Sequence, residues 1–351
     1  MEIQTVLPGW LHRCTCPAFI VKENIITACN QSAEALLLSP GMDVRELLAT
    51  GTEEYAAFSG GCLYVKLKLS ARGCGASVTC EEDGHLFLLD QEPEGADLRS
   101  LSLAARELRN PLSNLMIAAD ALMHGMEQNP AVQEQLARLN RSLHQMHRLV
   151  NNMSDAGRSD LLTPSGIHDW SRVVHDIFEK ISAQLEGTNI ILTYEGLSQP
   201  VYGLVNVGQM ERAVLNIVSN AVKFMPEGGT VHAQLTQKKN MLQLSIQDTG
   251  SGIAENVLGN VFSRYQRQPG IEDSRYGIGL GMVLIRSAAA DHGGTVLIDC
   301  PEGTGTRVTM TMAIRQEAPL LKTPVVPPVI DSSRQTLTEL SEVLPWELYK
   351  K

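Results

Sequence analysis

Between Val132 and Met153 the apolar side chains Val132, Leu136, Leu139, Leu143, Met146, Val150 and Met153 fall alternately four and three residues apart. A helix, at about 3.6 residues per turn, gathers such a series onto one stripe, whereas a strand would divide it between two faces. The stripe has to be covered. The preceding segment carries Leu101, Leu108, Leu112, Leu115, Leu122 and Met123, and the stretch EQNPAV separates the two. The spacing therefore predicts a helical hairpin over residues 95–160. Two helices alone bury too little surface, so the hairpin is expected to pair with a second copy as a four-helix bundle, making a homodimer.

The hairpin leaves most of the 351 residues unaccounted for, more than one core holds. Residues 1–94 contain the short apolar runs AFIV, NIITA, LYVKLKL, GASVTC and HLFLLD. Helical stretches near 32–38 and 43–49 interrupt them, with Gly41, Gly51, Gly60 and Gly61 as breakers. Two strands, small helices and three strands make an α+β domain. Residues 161–315 mix long helices, alternating strands and glycine-rich turns. Residues 316–351 begin with APLLKTPVVPPV, which reads as an extended linker. Leu337, Leu340, Val343, Leu344, Trp346 and Leu348 then form an amphipathic stretch. It either folds back onto the chain's own core or docks into a partner's groove. The fold class is multidomain α+β.

The net charge of −10 argues against nucleic acid as a partner, because phosphate backbones need a basic face. No apolar run approaches the roughly 20 residues of a membrane span, and MEIQTVLPGW lacks a signal-peptide pattern, so a cytoplasmic protein is expected. Seven cysteines, an odd number, do not suggest a disulfide framework. His12, Cys14 and Cys16 have no second ligand pair at zinc-like spacing, and small buried thiols are the simpler reading.

Chemistry concentrates in the third segment. MLQLSIQDTGSGI is a strand running into Asp248, Gly250 and Gly252, and YGIGLGMVLI places Gly277, Gly279 and Gly281 at the start of an apolar helix. Glycines there let backbone approach a ligand, and a helix start favours phosphate. Upstream, in NIVSNAVKF, Asn216 and Asn220 stand four apart on one helix face. Their amide oxygens suit a hydrated Mg²⁺, which takes few protein ligands. In this order the features point to a nucleotide pocket.

Leu98 to Ala313 resembles the catalytic core of a sensor histidine kinase. ARELRNPL resembles the phosphoacceptor box and NIVSNAVKF the asparagine box, while DTGSG, VFSRYQR, YGIGLGM and GTGT resemble the remaining nucleotide boxes. The resemblance implies an ATP-binding α/β sandwich of the GHKL (Bergerat) type, with helices on one face of a mixed sheet. The element order of the first segment, with IITACNQSAEALL, resembles a PAS sensor domain, another small α+β module being the alternative.

Carried onto this chain, the resemblance implies that Asp248 accepts a hydrogen bond from the adenine amino group, with Gly250 and Gly252 keeping the turn open. Asn216 and Asn220 would position Mg²⁺, Lys223 would lie near the ATP phosphates, and Phe224 would pack near the base. Arg267 matches an arginine near the ATP lid, which would span 268–275. Gly277, Gly279, Leu280 and Gly281 would form the lid hinge and phosphate loop, and Thr306 would sit behind the adenine. A general-base glutamate of gyrase-like ATPases would stand four residues before the key asparagine, where this chain has Asn216, so fast ATP hydrolysis by water is not expected.

The acceptor box departs from the family. Glu107, Asn110, Pro111 and Leu112 match, but Arg106 stands where the family has histidine. A guanidinium stays protonated and has no lone pair to attack a phosphoryl group. His124 shares the helix face of Arg106 but lies roughly 27 Å away at 1.5 Å per residue. His144 and His147 flank the heptad seam and read as core-edge residues, and His292 as structural. Two functions follow. One is a signalling enzyme acting on a response regulator or other partner, with Glu107 and Asn110 retained for removing phosphate. The other is a non-catalytic, nucleotide-gated pseudokinase scaffold.

Overall fold

The computed structural model describes residues 11, 14, 16–69, 74–82, 84–90, 95–125, 130–156, 166–258, 261–262, 281–301, 305–315 and 332–349. The first unit comprises β1 (Ala18–Lys22), β2 (Ile25–Cys29), α1 (Gln31–Glu34), α2 (Val44–Leu47), α3 (Thr52–Ala56), β3 (Cys62–Leu67), β4 (Cys74–Glu81) and β5 (Gly84–Leu89). Glu23 and Asn24, both at positive φ (49° and 68°), form the tight β1–β2 hairpin loop. Asn30 caps α1 by accepting from the Ala33 N–H, and Asp43 caps α2 by accepting from the Arg45 N–H. These helices are shorter than expected, and α3 has no counterpart in the sequence reading. It starts from Gly51 without a side-chain cap, so no local signal marks it. The strands lie in the order β2-β1-β5-β4-β3 over a core in which Phe19 and Phe87 stack 4.7 Å apart.

The hairpin follows as α4 (Gly95–Gly125) and α5 (Pro130–Ala156). Pro130 opens α5, where its missing N–H costs little. Three of the seven residues of the heptad series are buried within one copy, Leu136, Leu143 and Val150, as are Ala105, Leu112, Met116 and Ala119 of α4. Another set of apolar residues is not. Leu108, Leu115 and Leu122, seven apart on α4, are 50%, 55% and 51% exposed, and Leu139 and Met146 on α5 are 47% and 44% exposed. The hairpin thus carries a second apolar stripe that it does not cover itself.

The third unit contains β6 (Gly166–Asp169), α6 (Trp170–Leu185), β7 (Ile190–Glu195), β8 (Tyr202–Val205), α7 (Val207–Lys223), β9 (Gly229–Lys238), β10 (Met241–Asp248), α8 (Glu255–Leu258), α9 (Gly281–Asp291), β11 (Val296–Asp299) and β12 (Arg307–Ala313). Its main sheet runs β11-β12-β10-β9-β7, with β7 parallel to β9 and the remaining pairs antiparallel. Burial alternates residue by residue along β10, the signature of a sheet with one face on the core. Asp169 and Asn206 cap α6 and α7, whose apolar faces cover that sheet. A last helix, α10 (Ser332–Glu339), and a 3₁₀ turn at Trp346–Tyr349 return to the hairpin.

The first and third units share one sheet. β3 pairs antiparallel with β11 through Cys62–Ile298, Leu63–Leu297 and Tyr64–Val296, giving ten continuous strands. Gly61 allows the approach, since a Cβ there would come 2.3 Å from the Ile298 carbonyl oxygen. Beside the seam, Arg286 Nη1 meets Asp90 Oδ1 at 2.6 Å, and its guanidinium lies 4.8 Å from the Tyr64 ring centre. The Tyr64 hydroxyl donates to Asp90 Oδ2 at 2.6 Å, and burial raises that phenol well above its ordinary pKa.

Candidate nucleotide site

Three loops converge at the end of β10. Asp248 and Thr306 are joined twice: the Asp248 N–H donates to the Thr306 carbonyl at 2.9 Å, and the Thr306 N–H donates to Asp248 Oδ1 at 3.0 Å. The Gly250 N–H donates to the same oxygen at 2.8 Å. Among the described residues no donor is assigned to Oδ2, which remains for an incoming N–H. Burial raises the Asp248 pKa, against the two backbone N–H groups that favour the carboxylate. Gly305, at φ +70°, is required here, because a Cβ would fall 1.9 Å from the Asp248 carbonyl oxygen. The Ser251 N–H reaches the Phe224 carbonyl at 3.4 Å, tying the half-buried Phe224 to this turn. Gly250 and Gly252 lie in the same turn, Gly250 beside Asp248 Oδ1 and Gly252 beside the Gly305 carbonyl.

Asn216 and Asn220 lie one turn apart on α7, Asn216 fully buried and Asn220 half-buried. The start of α9 faces Asn216, since a Cβ on Gly281 would lie 3.1 Å from its Oδ1. The residues suit an adenine nucleotide in two respects. The buried Asp248 carboxylate stands beside Gly250 and Gly305, and Asn216, whose amide oxygen is of the hard kind that Mg²⁺ takes, lies beside the start of α9, with Asn220 one turn further along α7. Two of these residues are already engaged within the chain. Asn216 Oδ1 accepts from Arg148 Nη2 at 3.2 Å while its Nδ2 donates to the Arg212 carbonyl at 2.8 Å, and Lys223 Nζ meets Glu342 Oε2 at 3.2 Å.

On α4, Arg106, Glu107 and Asn110 are all exposed. Arg109 donates to Asn151 Oδ1 of α5 at 3.4 Å. Burial lowers the pKa of Arg212 on α7, Glu339 opposing and the charges of Arg109 and Arg148 adding to the effect. The acceptor-box helix therefore lies within electrostatic reach of the nucleotide unit.

Residues 206–316 match the family described as histidine kinase-, DNA gyrase B-, and HSP90-like ATPase, and residues 98–161 match the His Kinase A (phospho-acceptor) domain. The chain carries a histidine kinase catalytic core. The sensor histidine kinase RppB of Synechocystis sp. is 27% identical over 218 residues, covering 60% of this chain and 48% of that protein. The sensor histidine kinase WalK of Bacillus subtilis is 26% identical over 223 residues, covering 61% and 36%. The structure of full-length ShkA in complex with AMPPNP shares the fold, with a TM-score of 0.50 and 21% identity over 64% of this chain and 47% of that one. The chain spans about half the length, or less, of the curated relatives it matches.

Within this kinase core, Arg267, Gly277, Gly279, Leu280 and the lid at 268–275 lie outside the described residues, as does the side chain of His124. His144 is buried and bonded to Thr338 Oγ1 at 2.7 Å, and His147 shares a 3.4 Å contact with Asn151. His292 is structural: Nδ1 meets the Ala288 carbonyl at 2.7 Å and Nε2 accepts from the Asn206 N–H at 3.1 Å. Sequence reasoning missed Arg148, Arg212, Glu339 and Glu342. The one available signal was the three-residue spacing of the two glutamates, which places them on one face of a helical turn. Among the described residues no helix is long and apolar enough to cross a membrane.

Proposed function

We propose that this protein is a cytoplasmic, homodimeric signalling protein that binds ATP–Mg²⁺ and acts on a response regulator without phosphorylating itself at residue 106. The observation that carries the reading is Arg106, a permanently protonated side chain, exposed one turn before Asn110 in an otherwise matching box. Asp248 would take the adenine amino group on Oδ2, and Asn216 and Asn220 would hold Mg²⁺. Lys223, Arg267 and the glycines Gly277, Gly279 and Gly281, with Leu280, would surround the phosphates. Bound ATP–Mg²⁺ would set the position of the nucleotide unit against the hairpin. The uncovered stripe Leu108–Leu115–Leu122 with Leu139 and Met146 is the face on which a second copy would complete a four-helix bundle. The strand order of the first unit supports a PAS-like sensor.

On the hairpin surface, Asn110 would orient a water toward a phosphoryl aspartate on the docked regulator. The water oxygen forms the new P–O bond as the aspartyl P–O bond breaks, releasing phosphate and a carboxylate. Glu107, three residues earlier on the same face, would accept the water's proton. The test is a γ-labelled ATP incubation with candidate regulators. The wild type should show no acid-labile label on itself, Arg106→His should gain it, and Asn110→Ala should slow regulator dephosphorylation about 10- to 100-fold. Strong self-labelling of the wild type would refute the assignment. Equal decay with wild type, with Asn110→Ala and without protein would leave a nucleotide-gated scaffold instead.

A further inference from the structure

The segment 332–349 lies between the second hairpin helix and the asparagine-box helix, held from both sides. From α5, Arg141 Nε and Nη2 donate to the Ser341 and Glu342 carbonyls, both at 3.0 Å, and Gln145 Nε2 donates to Ser341 at 3.0 Å. Leu340 and Leu344 are fully buried, and the His144 ring packs 5.3 Å from that of Tyr349. This much describes an apolar face finding its core.

The polar face is the informative one. Glu339 is only 1% exposed and pairs with Arg148 Nε and Arg212 Nε, each at 3.3 Å. Glu342 Oε2 lies 3.2 Å from both Arg148 Nη1 and Lys223 Nζ. Arg148 in turn donates from Nη2 to Asn216 Oδ1 at 3.2 Å. At the residue assigned to Mg²⁺ there is thus a guanidinium, and at the lysine assigned to the phosphates there is a carboxylate. The charges repeat, in the same order, those of a metal–phosphate pair.

We infer that this groove is a binding site for an acidic helical peptide, that the chain's own segment 332–349 occupies it, and that the segment and Mg²⁺–nucleotide exclude each other, directly at Lys223 and, through the Arg148 guanidinium that Glu339 and Glu342 hold against Asn216, at the Mg²⁺ position. The inference rests on the nucleotide reading of that pocket. Its physical basis is the cost of stranding buried guanidinium groups. Withdrawing Glu339 would leave Arg148 and Arg212 without their carboxylate, so the segment leaves cheaply only when another anion replaces it. A polyphosphate can do so; a bare nucleoside cannot. The segment is therefore a strap that phosphate-bearing ligands release and adenosine does not. A strap in place nine-tenths of the time lowers apparent nucleotide affinity about tenfold.

The experiment uses the full chain, wild type and Glu342→Gln, with Mg²⁺ plus a non-hydrolysable ATP analogue and, separately, adenosine. Calorimetry should show about tenfold tighter binding of the Mg²⁺–analogue to Glu342→Gln and unchanged adenosine affinity. Hydrogen exchange on the wild type, which depends on no variant, should show residues 336–349 losing protection with the Mg²⁺–analogue and keeping it with adenosine. Equal analogue affinities, or a segment that stays protected when the analogue is bound, overturn the strap while leaving the pocket intact. If neither ligand binds either protein, the nucleotide reading falls and the strap falls with it.

Discussion

Asp90→Ala tests whether the first unit and the kinase core are truly one sheet. The carboxylate lies 2.6 Å from Arg286 Nη1 and accepts the Tyr64 hydroxyl at 2.6 Å. Arg286 is 5% exposed and Asp90 23%. Removing one partner of a fully buried ion pair costs about 3–5 kcal/mol, because the other charge is stranded. Water can reach the quarter-exposed Asp90 position, so we expect the low end, about 2–3 kcal/mol. The readout is amide exchange along β3 and β11, since a chain of several units has no single unfolding free energy. At about 1.4 kcal/mol per tenfold, protection at Leu63 and Leu297 should fall roughly 30- to 150-fold. Asp90→Asn, which keeps an acceptor for Tyr64 but not the charge, should lose less. Lys239→Ala breaks a pair that is 81% and 76% exposed and should change protection little. A change below about threefold in Asp90→Ala would refute the claim that this buried pair holds the seam.

Burial raises the Asp248 pKa, so its contribution to stability is full below the unfolded value and is lost as pH rises through the folded one. Asp248→Asn should therefore fold at least as stably at neutral pH by denaturant melts, yet bind an ATP analogue about 5- to 150-fold more weakly, because an amide N–H then faces the adenine amino group. Burial lowers the His292 pKa, so its contribution is present above about pH 6.5 and is lost as pH falls below that value. Thermal melts of His292→Gln should lie lower at neutral pH and show a flatter acid slope than the wild type. Leu115→Glu, on the uncovered stripe, should shift sedimentation from dimer to monomer while leaving the far-UV spectrum of the monomer helical.

Local pattern carried the hairpin well. The heptad series foretold both α5 and the need for a second apolar surface, because helix period and burial are local properties of that stretch. Asp248 and Thr306, 58 residues apart, were paired through resemblance to the kinase boxes, and the structure joins them by two hydrogen bonds. The β3–β11 seam was not legible. Edge strands of separate units carry the same alternation as central ones, so nothing local says which edge meets which. In the segment 332–349 the apolar residues Leu340 and Leu344 were legible as a buried face. Glu339, Thr338 and Ser341 were not, because a polar face normally reads as solvated and here it is buried against Arg148, Arg212, His144 and Arg141, all far away in sequence.

The three-pair seam between β3 and β11 also has a consequence for colloidal behaviour. With the seam intact, the ten-stranded sheet has β2 and β7 as its outer edges among the described residues. Parting the seam creates two more, each with its backbone donors and acceptors bare, and every other copy carries the matching pair. An open molecule can therefore reclose on itself or zip onto a neighbour, and the balance between the two depends on protein concentration. Any signal that works by lifting the first unit off the kinase core would be limited by how long those edges stay bare, so rapid reclosure protects the protein from linear aggregation.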